Sequence, residues 1–306
     1  MAELEVGVLL PHFGDDASVA RILGHTPVLE RLGYRSAWVR DNLAYAPHAF
    51  EPPGRRFVDP FVTLSAVAAV TASLGVGTAV TIPFRPPAVT AALVGSLCWL
   101  APGRVQIGMG FGSPRPAFAA VGIDFPDRYA LCDRTLALLR DSGGPDAEAA
   151  GPPIDPAPPR DLPLWFGGAS DRSLRSAVRW CDGLLLARAD LTTITSTRDR
   201  AAAMSGDRRP PRMGTVALVL PGRSYEDALR DVDESQLLAE LSRVNRRDYT
   251  AVREAQGAVL AGSPDDIAAG LDALAGVGVE LVVVDLRMTM GRFEEWTAVL
   301  GERLLA

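Results

Sequence analysis

The side chains with the most chemistry to offer stand where short apolar runs give out. His12 closes the run Val6–Pro11, Asp41-Asn42 follows Ser36–Arg40, and Arg188 follows Gly183–Ala187. A histidine in such a place can exchange a proton near neutral pH. A carboxylate beside a carboxamide can hydrogen-bond a polar ring or orient a substrate. Arg85, Arg188 and Arg287 can each grip an anion with a forked guanidinium. Two further run ends are rich in glycine: Gly110-Phe111-Gly112 and Gly167-Gly168-Ala169-Ser170. Without a Cβ, backbone N–H groups there can approach a ligand closely. The second run leads into a helix expected from Asp171, whose positive dipole end suits a phosphate, although Ser170 or Asp171 can equally serve as its N-cap. Two such exits on neighbouring strands point to a phosphate-bearing cofactor, with the ring of Phe111 lining its pocket.

Other chemistries are disfavoured. His12, His25 and His48 show no H-x-H or H-x-x-x-H spacing, so no metal site is expected. All 31 basic residues are arginine, and a chain without lysine has no Schiff-base mechanism. A formal net charge of -6 argues against nucleic acid and anionic membranes as partners. Cys98, Cys132 and Cys181 form no C-x-x-C pair and read as small buried hydrophobes in a reducing compartment. Glu3 and Glu5 stand where a signal peptide would carry basic residues, and no apolar run is long enough for a membrane span. A cytoplasmic protein acting on a small molecule is expected.

These residues need a scaffold that brings strand ends together. Strand-like runs at Val6–Pro11, Ser36–Arg40, Gly75–Ile82, Val105–Met109, Leu164–Gly167, Gly183–Ala187, Gly214–Leu220 and Glu280–Leu286 alternate with helix-like segments. Gly33, Asp59-Pro60, Pro86-Pro87 and Ser263-Pro264 mark helix ends or starts. A Pro- and Gly-rich segment from Asp141 to Pro163 reads as a surface loop, and a polar helical insertion from Tyr225 to Gln256 follows strand seven. Eight near-continuous apolar strands with intervening helices predict a parallel (β/α)8 TIM barrel, α/β in class, formed by residues 1–306 as one domain. A doubly wound open sheet is the alternative, but the first strand is followed by Gly14 alone and no G-x-G-x-x-G.

The series of motifs resembles the luciferase-like superfamily of flavin- and deazaflavin-dependent oxidoreductases over most of the chain. Val6-Gly7-Val8-Leu9-Leu10-Pro11 is similar to its first strand, Gly33 through Asp41 to its second, and Gly77-Thr78-Ala79-Val80 with Arg85-Pro86-Pro87 to its third. Leu100-Ala101-Pro102-Gly103-Arg104 through Gly108-Met109-Gly110-Phe111-Gly112 is the most specific piece. Pro163-Leu164-Trp165-Phe166-Gly167-Gly168, Cys181-Asp182-Gly183, Gly262-Ser263-Pro264 and Val282–Arg287 follow in order. The resemblance implies a homodimeric barrel that binds coenzyme F420 or FMN at the strand C-termini. It implies a non-proline cis peptide at Ala79-Val80 against the ring system, Asp41 as a ring-contacting acid, and Gly110, Phe111 and Gly112 with Gly167 and Gly168 around the ribityl phosphate, to which the helix-start reading above adds Ser170.

Departures from the family pattern refine the expectation. Deazaflavin-dependent dehydrogenases of the family carry Asp-His where this chain has Asp41-Asn42, and the sugar-phosphate group carries a glutamate in place of Ser113. A sugar dehydrogenase is therefore disfavoured. No arginine stands next to Phe111 in sequence to hold an FMN phosphate, which tilts the expectation toward F420, as does the lysine-free composition. The expected function is hydride transfer between F420 and a small organic substrate, with Asn42 contacting ring or substrate and His12 donating a proton. An FMN-dependent monooxygenase is the alternative, and a degenerate relative with a non-redox or binding role the third reading.

Overall fold

Short runs of Val, Leu and Ile, buried on both faces, become the strands of a closed parallel barrel. A computed structural model describes residues 4–43, 45, 50–113, 115–141 and 154–305. The strands are β1 (Glu5–Leu9), β2 (Ser36–Val39), β3 (Gly75–Thr81), β4 (Val105–Gly110), β5 (Leu164–Gly167), β6 (Gly183–Ala187), β7 (Arg212–Pro221), β8 (Val259–Gly262) and β9 (Val279–Asp285). Strands β1 to β7 pair in sequence order, β7 pairs with β9, and β9 closes on β1 through Val6↔Val282 and Val8↔Val284. The eight-stranded TIM barrel is thus present, with β9 as the expected eighth strand. The sequence reading missed β8, a four-residue piece paired only with the far end of β7, from Leu218↔Val259 to Pro221↔Gly262. Four residues carry too little pattern to announce a strand.

The helices around the barrel are α1 (Val19–Arg31), α2 (Pro60–Val70), α3 (Pro87–Leu100), α4 (Arg115–Ala120), α5 (Arg128–Asp141), α6 (Asp171–Trp180), α7 (Leu191–Ser205), α8 (Tyr225–Leu229), α9 (Glu234–Asn245), α10 (Pro264–Gly276) and α11 (Phe293–Leu304). Asp59 starts α2 as expected: its Oδ1 accepts the N–H groups of Phe61 at 2.9 Å and Val62 at 3.2 Å. The helix stops at Val70, because Thr71 turns extended. Ser263 and Asp266 form a reciprocal capping box at α10, with Pro264 in the first turn. The short α4, unforeseen, packs Phe118 against Phe84 beside the β4 exit. The insertion after β7 is α8, α9 and a 3-10 turn at Val252–Glu254, with a small core of its own around Leu237, Leu241, Tyr249 and Val252. His48 and residues 142–153 of the Pro-rich segment lie outside the described residues.

Two tryptophans fill the barrel. A Cβ on Gly7 or Gly77, the strand neighbours on either side, would lie 2.6 Å from Trp38. One on Gly183 would lie 2.3 Å from Trp165, and one on Gly214 would lie 3.0 Å from it. Glycine on these nearby strands is what lets each indole lie across the interior. Below them Arg212 pairs with Glu280 at 2.9 Å and Glu5 at 3.2 Å, which closes the lower end. Function is left to the strand C-termini above. No helix among the described residues is long and apolar enough to cross a membrane.

Candidate active site

The floor of the upper opening is set by β3, β4 and β5. The Ala79–Val80 peptide is cis, as the resemblance implied, and both residues are half-buried. The Val80 side chain occupies the space above the neighbouring strands. A Cβ on Gly110 would stand 2.8 Å from Val80 Cγ2, and one on Gly167 would stand 3.0 Å from Cγ1. Gly110 and Gly167 are themselves register partners across β4 and β5. Their lack of side chains therefore serves the packing of Val80 as well as any approach to a ligand. Gly112 has φ +73, and a Cβ there would meet Ile82 at 2.6 Å. Phe111 is partly exposed and meets Phe166 and Tyr129 edge-on, with ring centroids 5.0 and 4.8 Å apart.

The second glycine-rich exit turns into α6. Gly168 takes φ +125, and a Cβ there would stand 2.8 Å from Ser173 Oγ. Ser170 caps the helix: its Oγ accepts the Ser173 N–H at 3.2 Å and contacts Ser173 Oγ at 2.9 Å. Asp171 is bonded to Arg200, which also donates to the Ala169 carbonyl at 3.1 Å, so that carboxylate is neutralised at the helix start. Two arginines stack on the aromatic ring that packs against Phe111. The Cζ atoms of Arg128 and Arg172 each stand 3.9 Å from the centre of the Tyr129 ring that packs on Phe111. Arg172 is the second residue of α6. Both residues come from two later helices, out of reach of any local motif at Phe111.

His12 and Asp41 are committed to the scaffold. The imidazole is fully buried between Phe13 and Phe57. Its Nδ1–H donates to the Leu10 carbonyl at 2.9 Å, and Nε2 accepts the Arg40 N–H at 3.0 Å. Burial, with Arg40 adding repulsion, lowers its pKa to about 4, so the ring is neutral. This geometry offers no exposed nitrogen for the proton-donating role expected of it; instead the ring ties the β1 exit to the β2 exit. Asp41 accepts from Arg85 Nη1 at 2.7 Å and Nη2 at 3.2 Å, and from the Ile82 N–H at 3.1 Å. Arg85 continues to Asp59 at 2.6 Å. Burial raises the Asp41 carboxyl and Arg85 opposes the shift. The pair joins β2, β3 and the start of α2, so Arg85 serves the scaffold rather than an incoming anion. Asn42 is half-buried one residue further along.

Facing that floor is a charged wall that sequence reasoning foresaw only in part. Arg287, after β9, meets Asp285 at 2.5 Å and Glu51 at 2.5 Å, and all three side chains are buried. Arg40, at the β2 exit, stands 2.8 Å from the same Glu51 oxygen and 4.9 Å from the Phe13 ring. Burial pulls the Arg40 guanidinium down to about 10, with Arg287 adding to the shift. Asp285 is held low against its own burial by Arg287, Arg40 and Arg188. Arg188, at the end of β6, pairs with Glu240 of the insertion at 3.1 Å. Arg188 and Arg287 were legible as strand-end cations; Arg40, Glu51 and Asp285 read as ordinary strand and loop residues.

Comparison with known proteins places this TIM barrel in a family. Residues 4–281 fit the family model described as luciferase-like monooxygenase. The chain belongs to this family. An uncharacterized Mycobacterium tuberculosis protein is 32% identical over 179 residues, which cover 50% of this chain and 62% of that one. The F420-dependent hydroxymycolic acid dehydrogenase of the same species is 26% identical over 225 residues, 69% of this chain and 61% of the relative. The chain thus matches about three-fifths of the length of these relatives. Among solved structures, an F420-dependent secondary alcohol dehydrogenase aligns with a TM-score of 0.71 at 15% identity over 97% of this chain and 99% of that one. A long-chain alkane monooxygenase aligns with a TM-score of 0.73 at 15% identity over 99% and 91%. These two likenesses establish the fold. Membership of the family makes this chain an enzyme of the luciferase-like oxidoreductase and monooxygenase group.

Proposed function

We propose that this luciferase-like barrel uses coenzyme F420 to transfer hydride to or from a small organic substrate. The observation that carries the reading is the Val80 side chain lying over Gly110 and Gly167, side-chain-free register partners at the β4 and β5 exits. The residues present fit a flat ring with a phosphate-bearing tail. Ala79, Val80, Gly110 and Gly167 would floor the ring. Gly168, Ser170, Arg172 and the start of α6 would hold the phosphate, with the N–H groups of the helix start and the exposed Arg172 side chain as its donors. When bound, F420 supplies or accepts the hydride, chemistry that no side chain of this chain offers.

The protein's own work is to position and to exclude water. Phe111 and Tyr129 cover one edge of the opening with apolar surface. Asn42, at the β2 exit, would orient ring or substrate by hydrogen bonding. Asp41 and His12 act through the scaffold, the first by fixing β2 to β3 through Arg85, the second by joining the exits of β1 and β2. A homodimer in the cytoplasm completes the reading, supported by an outer face on α2 and α3 without charge and by three unpaired cysteines.

The second reading is an FMN-dependent monooxygenase, favoured by Arg128 and Arg172 on the Tyr129 ring that packs against Phe111, cations that weaken one ground for preferring F420. What then favours F420 is the F420-dependent relatives in sequence. Parallel titration with oxidised and reduced F420 and FMN, read by optical spectra, separates the two. Tight binding of F420 alone supports hydride transfer, preference for reduced FMN supports oxygen activation, and binding of neither sinks both.

A further inference from the structure

The insertion after β7 reaches back to hold the end of β6. Asn245, the last residue of α9, donates from Nδ2 to the Arg188 carbonyl at 3.0 Å and accepts the Asp190 N–H at 2.8 Å. Tyr249 Oη donates to Asp190 Oδ2 at 2.7 Å, and the Leu191 N–H donates to the Gln256 carbonyl at 3.0 Å. Within these clamps Arg188 has φ +53, a left-handed conformation that a long side chain adopts where its surroundings impose it. In strand order β6 and β2 are diametrically opposite around the barrel. The Arg188 Cζ nevertheless lies 5.5 Å from the ring of Phe50, in the loop after β2. Arg188 and that loop therefore meet over the opening.

Arg188 shares its carboxylate and keeps an N–H unused. Its carboxylate partner Glu240 also receives Arg243, at 2.7 Å on one oxygen and 2.5 Å on the other. Arg188 Nε is buried and, among the described residues, has no hydrogen-bond partner. Arg40, Arg188, Arg243 and Arg287 share Glu51, Asp285 and Glu240. Arg243 is 70% exposed, so Arg188 divides the hold of Glu240 with a solvated competitor. Burial, reinforced by Arg287, weakens the hold of Arg188 on its proton, and a further anion would relieve both. A guanidinium with an unused N–H, partly desolvated and fixed in direction, matches a carboxylate in shape and charge.

We infer that Arg188 anchors a carboxylate of the substrate over the barrel opening, and that Asn245 is the positioning residue that aims it. This deepens the proposed function by naming the substrate class for the same opening. Because the substrate itself is unidentified, the probes are hexanoate and benzoate, with hexanamide and benzamide as neutral counterparts. Binding is measured by calorimetry on the full chain, with and without saturating F420. The expected result is that the carboxylates bind about tenfold or more tighter than the amides, as loss of a charge-assisted hydrogen bond implies. Arg188→Met should remove that preference, Arg188→Lys should keep part of it, and Asn245→Ala should reduce it with the guanidinium still present. Circular dichroism identifies any variant that fails to fold, and the lysine variant tests the inference if the methionine one does. Equal binding of acids and amides, no binding of either by the wild type, or an unchanged preference in the folded Arg188 variants would overturn it. The F420 titration is read separately, so failure of the carboxylate site with F420 bound leaves the redox reading standing.

Discussion

Val80 and Gly110 are a matched pair: the Val80 Cγ2 atom stands 2.8 Å from where a Cβ on Gly110 would be. The same isopropyl group lies 3.0 Å from the corresponding point on Gly167, the register partner of Gly110. One branched side chain thus accounts for a glycine on each of two strands. Both a ligand-facing backbone and a cramped neighbour select glycine, and only the fold tells them apart.

Gly110→Ala should therefore lose stability by about 1–3 kcal/mol through overpacking, and Val80→Ala should restore much of it. With Val80 shortened, the nearest atoms left are the Gly167 carbonyl oxygen at 3.6 Å and Val80 Cβ at 3.8 Å, both ordinary contacts. Urea unfolding of the two single variants and the double variant measures the coupling. Additive losses would show that the glycine is there for the ligand alone.

The barrel was legible because each strand is a separate apolar run bounded by glycine, proline or charge, and helix starts such as Asp59-Pro60 and Ser263-Pro264 are local devices. Ser170 was legible as a cap for the same reason. The site was less so. The neutral state of His12 depends on the Leu10 carbonyl and the Arg40 N–H, and the hold on Asp41 depends on Arg85, 44 residues away. Arg172 reaches Phe111 only through Tyr129, which belongs to another helix. Nothing in a strand motif encodes such partners, since they arise when exits separated in sequence meet at one end of a barrel.

Arg172 tests the phosphate end of the site without disturbing the fold. Gly168 is a poor choice there, because its left-handed backbone and the nearby Ser173 would penalise any side chain. Arg172 is exposed and lies against Tyr129. Arg172→Met should weaken whichever cofactor binds by about tenfold, the cost of one charge-assisted contact, with the melting temperature nearly unchanged. Undiminished affinity would take Arg172 out of the site.

Asp41 and Asp59 share Arg85 but differ in exposure, and their variants should differ in cost. Asp41→Asn breaks a buried pair and should lose about 3 kcal/mol. Asp59→Asn keeps a capping oxygen and loses a half-exposed pair, for about 1 kcal/mol or less. Chemical denaturation of both variants checks the order, which reverses if Asp59 rather than Asp41 is the anchor.

His12 gives stability a pH dependence of known sign. Its folded pKa is about 4 against 6.5 for the free side chain. Between those values the unfolded chain takes up a proton that the folded chain refuses, so stability falls as pH drops from about 6.5 to about 4 and this contribution is then exhausted. The loss should be on the order of 3 kcal/mol. His12→Asn should flatten the slope over that window relative to the wild type, with both measured by urea unfolding at closely spaced pH values. An unaltered slope would mean that the ring takes a proton in the folded state.

Helices α2 and α3 carry no charged residue, although their outer faces meet solvent. Val62 is 65% exposed and Trp99 is 74% exposed, with Val89 and Leu100 near half. Helices that are apolar all round are ordinarily covered on every side, and α2 and α3 pack against each other to make one continuous outer face. A second copy of the chain brings an identical uncharged face, which suits a two-fold contact. Sedimentation velocity should therefore show a dimer for the wild type and a shift toward monomer for Trp99→Glu and Val62→Glu, whose side chains would place carboxylates in an apolar contact. Both positions are already exposed in the single chain, so the monomers should stay folded. A wild type that sediments as a monomer across the micromolar range would leave this face without a partner of its own kind.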